Sequence, residues 1–137
     1  DLKQAEGEPV TLFSAAAAKL AKPIPFAKAE FGMDGDVYFT DGPCVVKMED
    51  GKLYMTWSSW SNCGYAVGVA VSENGKAEGP WKQLEEPLFP ENGGHGMLYK
   101  DNDGMKFTLH YPNDKYKERP IFRKVVLENS QLKLEEK

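Results

Sequence analysis

The sequence predicts an all-β protein, a partial β-propeller of about two and a half four-stranded antiparallel blades. Three observations carry this. Short runs rich in Val, Tyr, Phe, Thr and Trp alternate along most of the chain with turn signals built from Gly, Pro, Asn and Asp. The order of runs and turns then recurs: Asp50-Gly51 returns as Asp103-Gly104, with Lys47 and Lys100 ahead of them, and Glu73-Asn74 returns as Glu128-Asn129. The repeat of about fifty residues, holding four strands, has the size of one propeller blade.

Residues 1–35 read as the tail of a preceding blade plus a connecting loop and short helix. Residues 7–13 resemble an outer strand, as do Glu86-Pro87-Leu88-Phe89 at the end of the next blade. Ser14 can cap a helix over 15–20 that Pro23 stops, and 22–31 read as a crossing loop. Residues 36–90 form the first complete blade. Its inner strand runs through 37–40 and 44–47, with Asp41-Gly42-Pro43 as a turn between them. The Asp50-Gly51 hairpin leads to 52–58, then come 65–71 up to Asn74-Gly75 and, after Gly79-Pro80, a short run at 81–84. Residues 91–137 form the second blade, with strands at 96–100, 106–111, 120–127 and 131–134. Two and a half blades cannot close a ring, so the sequence predicts either further copies or a longer polypeptide.

Composition narrows the function classes. The 137 residues are 41% hydrophobic and 28% charged, which is globular rather than disordered. The 17 basic against 21 acidic residues give a net charge of −4 and no electrostatic case for nucleic acid. No apolar run nears the roughly 20 residues of a membrane span, and the first residues lack the basic and apolar segments of a signal peptide. Cys44 and Cys63 fit no zinc or redox spacing; they read as a buried thiol and a loop thiol.

In a propeller the innermost strands surround the central channel, so the start of each repeat holds the candidates. Those are Thr40-Asp41-Gly42-Pro43 and Gly93-Gly94-His95-Gly96. Asp41 reads either as a turn carboxylate taking local backbone N–H bonds or as a channel-facing acid or base. His95 reads either as a flexible loop histidine or as a site residue whose flanking glycines let the backbone approach a ligand closely.

These segments, with 53–59, 64–70, Gly79-Pro80-Trp81, Glu118-Arg119-Pro120 and Gly7-Glu8-Pro9, resemble glycoside hydrolase family 43 over nearly the whole chain, and specifically its C-terminal half. The resemblance implies a five-bladed propeller enzyme acting on arabinose- and xylose-containing polysaccharides by inversion. Such a mechanism uses an Asp base, an Asp that tunes the acid and a Glu general acid, with base and acid about 6.5–9.5 Å apart. The base and the tuning Asp would belong to earlier blades. The acid's Glu-Gly-Pro or Glu-Ala-Pro position is held here by Asp41, one methylene shorter, and His95 matches the channel histidine that helps hold a central water or metal ion. No cofactor is required; a calcium ion near His95 is an expectation of the resemblance alone. Trp60 is the better candidate for sugar stacking at the channel rim, Trp57 reads as a second stacking residue or, preferably, as inter-blade packing, and Arg119 as either a partner for a channel carboxylate or a surface ion pair. Export to the periplasm or beyond is implied by resemblance, and the partners would be a plant-type polysaccharide or oligosaccharide and the rest of the propeller. The alternative is a non-catalytic carbohydrate-binding or assembly half-propeller that pairs with a second copy of itself. The feature that separates the two is a second carboxylate near Asp41: Asp34 or Asp36, just upstream, reads either as that group or as a residue of a glycine-rich loop.

Overall fold

A computed structural model describes residues 7–135 and places eight strands in two four-stranded antiparallel sheets. The first sheet holds β1 (Asp41–Lys47), β2 (Leu53–Ser61), β3 (Gly64–Ser72) and β4 (Trp81–Gln83), in that spatial order. The second repeats the plan with β5 (Gly94–Asp101), β6 (Gly104–Tyr111), β7 (Arg119–Glu128) and β8 (Gln131–Leu134). Each sheet is a meander of hairpins, and the turn residues explain its register. At the first turn Asp50 accepts the Lys52 N–H on Oδ1 at 3.1 Å and the Tyr54 hydroxyl on Oδ2 at 2.8 Å, which fixes Lys47 opposite Leu53.

β1 and β5 alternate between more and less exposed positions as period-two elements should. β2 and β3 are instead buried along nearly their whole length, because both faces of the first sheet are covered. One face of each sheet packs against the other. Tyr54, Val67, Val69 and Val71 from the first sheet meet Leu98, Phe107, Leu109, Val125 and Leu132 from the second. Tyr54 and Phe107 are fully buried there. Cys44 is half-buried at the edge of this core, its Sγ accepting the Leu98 N–H at 3.4 Å, while Cys63 is exposed in the β2–β3 turn. The outer face of the first sheet is covered by the N-terminal segment: Ala15, Ala18 and Ala21, with Phe13, pack on Trp57. Trp57 therefore packs against that segment, and its indole N–H donates to Gln83 Oε1 at 3.1 Å.

Four local expectations differ from the structure. Residues 7–13 form no strand. The helix after Ser14 is a single 3-10 turn, Ala15–Ala17, because Ala18 is already extended. The crossing loop contains a short α-helix, α1 (Pro25–Glu30), seeded by a proline whose fixed φ and missing N–H suit a first helical turn. Residues 37–40 lie outside the sheet, and the Val37 carbonyl accepts the Ile24 N–H at 2.8 Å instead. The inner strand begins one step later, at Asp41 itself.

The outer face of the second sheet stays open. Met97, Thr108 and Phe122 form one cross-strand row there, with Met97 and Phe122 both exposed.

Candidate active site at the inner-strand bulges

Both inner strands open with a β-bulge, and the bulges occupy equivalent places. In β1 the register shifts between Asp41 and Cys44, and in β5 between Gly94 and Met97. Asp41-Gly42-Pro43 is thus not a turn, nor is Gly94-His95-Gly96 a free loop; both are the kinked starts of strands. A bulge re-aims the side chains that precede it, and it commonly lies beside a functional site. Gly42 and His95 hold the same position in the two repeats and the same left-handed backbone, with φ of 53° and 49°. Glycine adopts that conformation freely, whereas a histidine carries a cost of about 1–2 kcal/mol. His95 is held there nonetheless, by its N–H donating to Ser58 Oγ at 2.9 Å.

The bulges bring Asp41 and His95 together, Nδ1 to Oδ2 at 2.7 Å. The Tyr65 hydroxyl donates to the same Oδ2 at 2.8 Å, and the Gly42 N–H donates to Oδ1 at 2.8 Å. Partial burial pushes the Asp41 carboxyl up, but Tyr65, His95 and the Gly42 N–H together outweigh it and hold the group below the usual aspartate value. Burial, and then the bond to Asp41, push the Tyr65 phenol far above its ordinary value, so Tyr65 acts as a fixed donor. The side chain of His95 is 58% exposed against 31% for Asp41, so the imidazole is the more accessible of the two groups.

Two residues that sequence reading did not single out, Tyr65 and Ser58, build this site together with Gly94, one of the glycines expected beside His95. Tyr65 is buried on β3 with its ring stacked on His110, centroids 5.6 Å apart and planes 14° from parallel. Ser58 lies opposite Asp41 across the sheet. Gly94 leaves room for Tyr65, since a Cβ there would stand 2.5 Å from the tyrosine ring. Of the expected residues, Trp60 is paired opposite Tyr65 and packs on its ring at 5.4 Å. It is 39% exposed and lines a groove of about 310 Å³ with Lys22, Pro23, Ile24, Pro25, Phe26 and Ser61. Arg119 is exposed at the start of β7, where its guanidinium donates to the neighbouring Glu118 carbonyl at 2.7 Å. The structure therefore joins Asp41, His95 and Trp60 through Tyr65, and leaves Arg119 bonded to its own backbone neighbour. Asp34 and Asp36 are exposed in the loop after α1.

The residues beside His95 do not fit a calcium ion. Calcium takes 6–8 oxygen ligands. Here one carboxylate is already spent on three hydrogen-bond donors and the nearest other group is an imidazole nitrogen. Among the described residues no group of three or more His, Cys, Asp or Glu side chains converges on one point.

The repeated meander and the pair at its inner strands define a propeller with a carboxylate–imidazole site. Solved structures carry this further. The endo-arabinase from Bacteroides thetaiotaomicron aligns over 95% of the chain at 35% identity with a TM-score of 0.81. The alpha-L-arabinofuranosidase from Lactobacillus brevis aligns over 66% at 22% identity and TM-score 0.52, and the xylan beta-1,4-xylosidase from Bacillus halodurans over 70% at 20% identity and TM-score 0.51. The chain spans 44%, 34% and 22% of the lengths of those three proteins. No protein-family model and no curated protein sequence matches it. The chain has a glycoside hydrolase family 43-type fold and is glycoside-hydrolase-like.

Proposed function

We propose that this chain supplies the acid side of an inverting glycoside hydrolase that cleaves arabinose- or xylose-containing polysaccharides or oligosaccharides. The observation that carries the reading is the Asp41–His95 pair, set at 2.7 Å by two equivalent bulges on the inner strands of adjacent blades. Asp41 stands where the family resemblance puts the acid, and the pair as a unit protonates the departing sugar oxygen. Trp60 offers an exposed indole face to a sugar ring, beside the apolar groove that reaches Phe26. Arg119 contributes at most a rim contact to the saccharide.

Inversion needs a second carboxylate about 6.5–9.5 Å from the acid, with a water between base and sugar. In this reading the remaining blades contribute that base, and the 137-residue chain alone is inactive. The test is hydrolysis of linear arabinan and xylan oligosaccharides by the full-length protein, followed by proton NMR of the first-formed reducing sugar. The inverted anomer supports the proposal; a retained anomer, or no cleavage of either substrate, overturns it.

A second reading has one specific observation behind it. The exposed Met97–Thr108–Phe122 row is an apolar face of the kind that assembling blades cover. An assembly module that binds carbohydrate without cleaving it would keep Trp60 binding and show no turnover.

A further inference from the structure

We infer that His95 Nε2, rather than the carboxyl of Asp41, is the atom that hands the proton to the leaving sugar oxygen, and that Asp41 is its positioning residue. The inference rests on the hydrolase reading above and names which half of the pair does the chemistry.

The geometry argues this in four steps. Both oxygens of Asp41 are acceptors: Oδ1 takes the Gly42 N–H, and Oδ2 takes the Tyr65 hydroxyl and His95 Nδ1. A carboxyl group giving a proton to substrate needs one oxygen protonated and facing the sugar, and three converging donors favour the ionised form instead. Second, aspartate is one methylene shorter than glutamate, and the His95 imidazole bonded to it is the more exposed of the two groups. Third, Asp41 fixes the imidazole through Nδ1, which leaves Nε2 with no partner among the described residues. A carboxylate holding one ring nitrogen so that the other works outward is the familiar arrangement of acid–base histidines. Fourth, the backbone of His95 is held left-handed where the preceding blade has glycine, and Ser58 pins it there. Strain retained at one residue, against the easier choice made by its repeat partner, points to a requirement for that side chain.

The step balances as follows. The imidazolium gives its Nε2 proton to the glycosidic oxygen as the bond from that oxygen to the anomeric carbon breaks. The bonding pair leaves on the oxygen. A water, deprotonated by a carboxylate base from the remaining blades, forms the new bond to the anomeric carbon. The ring is left neutral with Nδ1–H still on Asp41, and solvent returns the proton.

The experiment compares two substrates in the full-length protein. A 2,4-dinitrophenyl α-L-arabinofuranoside has a leaving group that departs without protonation; an unactivated arabino-oligosaccharide does not. His95→Gly removes the proton and relieves the strained backbone. It should lower kcat on the oligosaccharide by about 10²–10⁴-fold and on the dinitrophenyl substrate by less than about tenfold, with added imidazole restoring part of the first loss. His95→Asn, whose side chain also tolerates a left-handed backbone, should show the same split and guards against a folding defect in the glycine variant. Equal losses on both substrates would make His95 merely structural and overturn the inference. So would full oligosaccharide activity in His95→Gly alongside its loss in Asp41→Asn, which would return the proton to Asp41. Wild-type protein that cleaves neither substrate sinks the hydrolase reading itself, a result distinct from either.

Discussion

Adding one methyl group at Gly94 probes how tightly the site is braced. An alanine Cβ would stand 2.5 and 2.6 Å from Cε1 and Cδ1 of Tyr65 and 3.0 Å from Ser58 Oγ. Comfortable carbon–carbon contact lies near ~3.5–4.0 Å, so something must move by about 1 Å. The tyrosine cannot yield cheaply: it is 4% exposed, stacked on His110 and bonded to Asp41. Overpacking of this kind costs about 1–3 kcal/mol. If the ring swings away, the charge-assisted bond to Asp41 is lost as well, worth about 1.5–3 kcal/mol. Gly94→Ala should therefore lower the unfolding free energy by about 2–4 kcal/mol in urea titration, with the m-value unchanged. It should also raise the Asp41 pKa, read from carboxyl carbon shifts by NMR. A loss under about 0.5 kcal/mol, with Asp41 unmoved, would refute the claim that Tyr65 is wedged between Gly94 and the carboxylate.

Other perturbations have equally definite outcomes. Phe107 is fully buried between the sheets, so Phe107→Ala should cost about 3–5 kcal/mol by the same titration. Ser58→Ala removes the acceptor of the His95 N–H and should cost about 1 kcal/mol; proton NMR should show the His95 amide in faster exchange. Asp41 is held below its unfolded value of 3.8, so its contribution is complete above that pH and disappears as pH falls through the lower folded value. The wild type and Asp41→Asn should accordingly differ in unfolding free energy at neutral pH and converge in acid below 3.8. A gap that persists there would mean the carboxylate's charge is not what stabilises the fold.

Much of the blade plan was legible because hairpin turns and alternating runs are local signals. Asp50-Gly51 and Asp103-Gly104 set two registers, and the strands on either side formed where the apolar runs lay. The site was harder, for a reason that a register count makes plain. Pairing Lys47 with Leu53 and counting back along β1 puts Asp41 opposite Ser59; the bulge inserts a residue and puts it opposite Ser58. A one-residue slip reverses the face that every preceding side chain takes, so a reader without the bulge cannot say which neighbours Asp41 meets. The clue available in sequence was the glycine at the bulge, Gly42, matched by His95 one repeat later. Tyr65 was missed because a tyrosine in an apolar strand run reads as core, and its hydroxyl partner lies on another strand. Helix α1 was missed because Pro23 and Pro25 act oppositely: one breaks the chain, the other starts a turn.

The most direct test of the account is the rate at which full-length protein carrying Asp41→Ala cleaves an unactivated arabino-oligosaccharide. Removing the carboxylate that orients His95 should lower kcat/KM by about 10²–10⁴-fold, while thermal unfolding shows the variant still folded. A folded Asp41→Ala protein that keeps kcat/KM within a few-fold of wild type would contradict the claim that the inner-strand pair is the acid side of the enzyme.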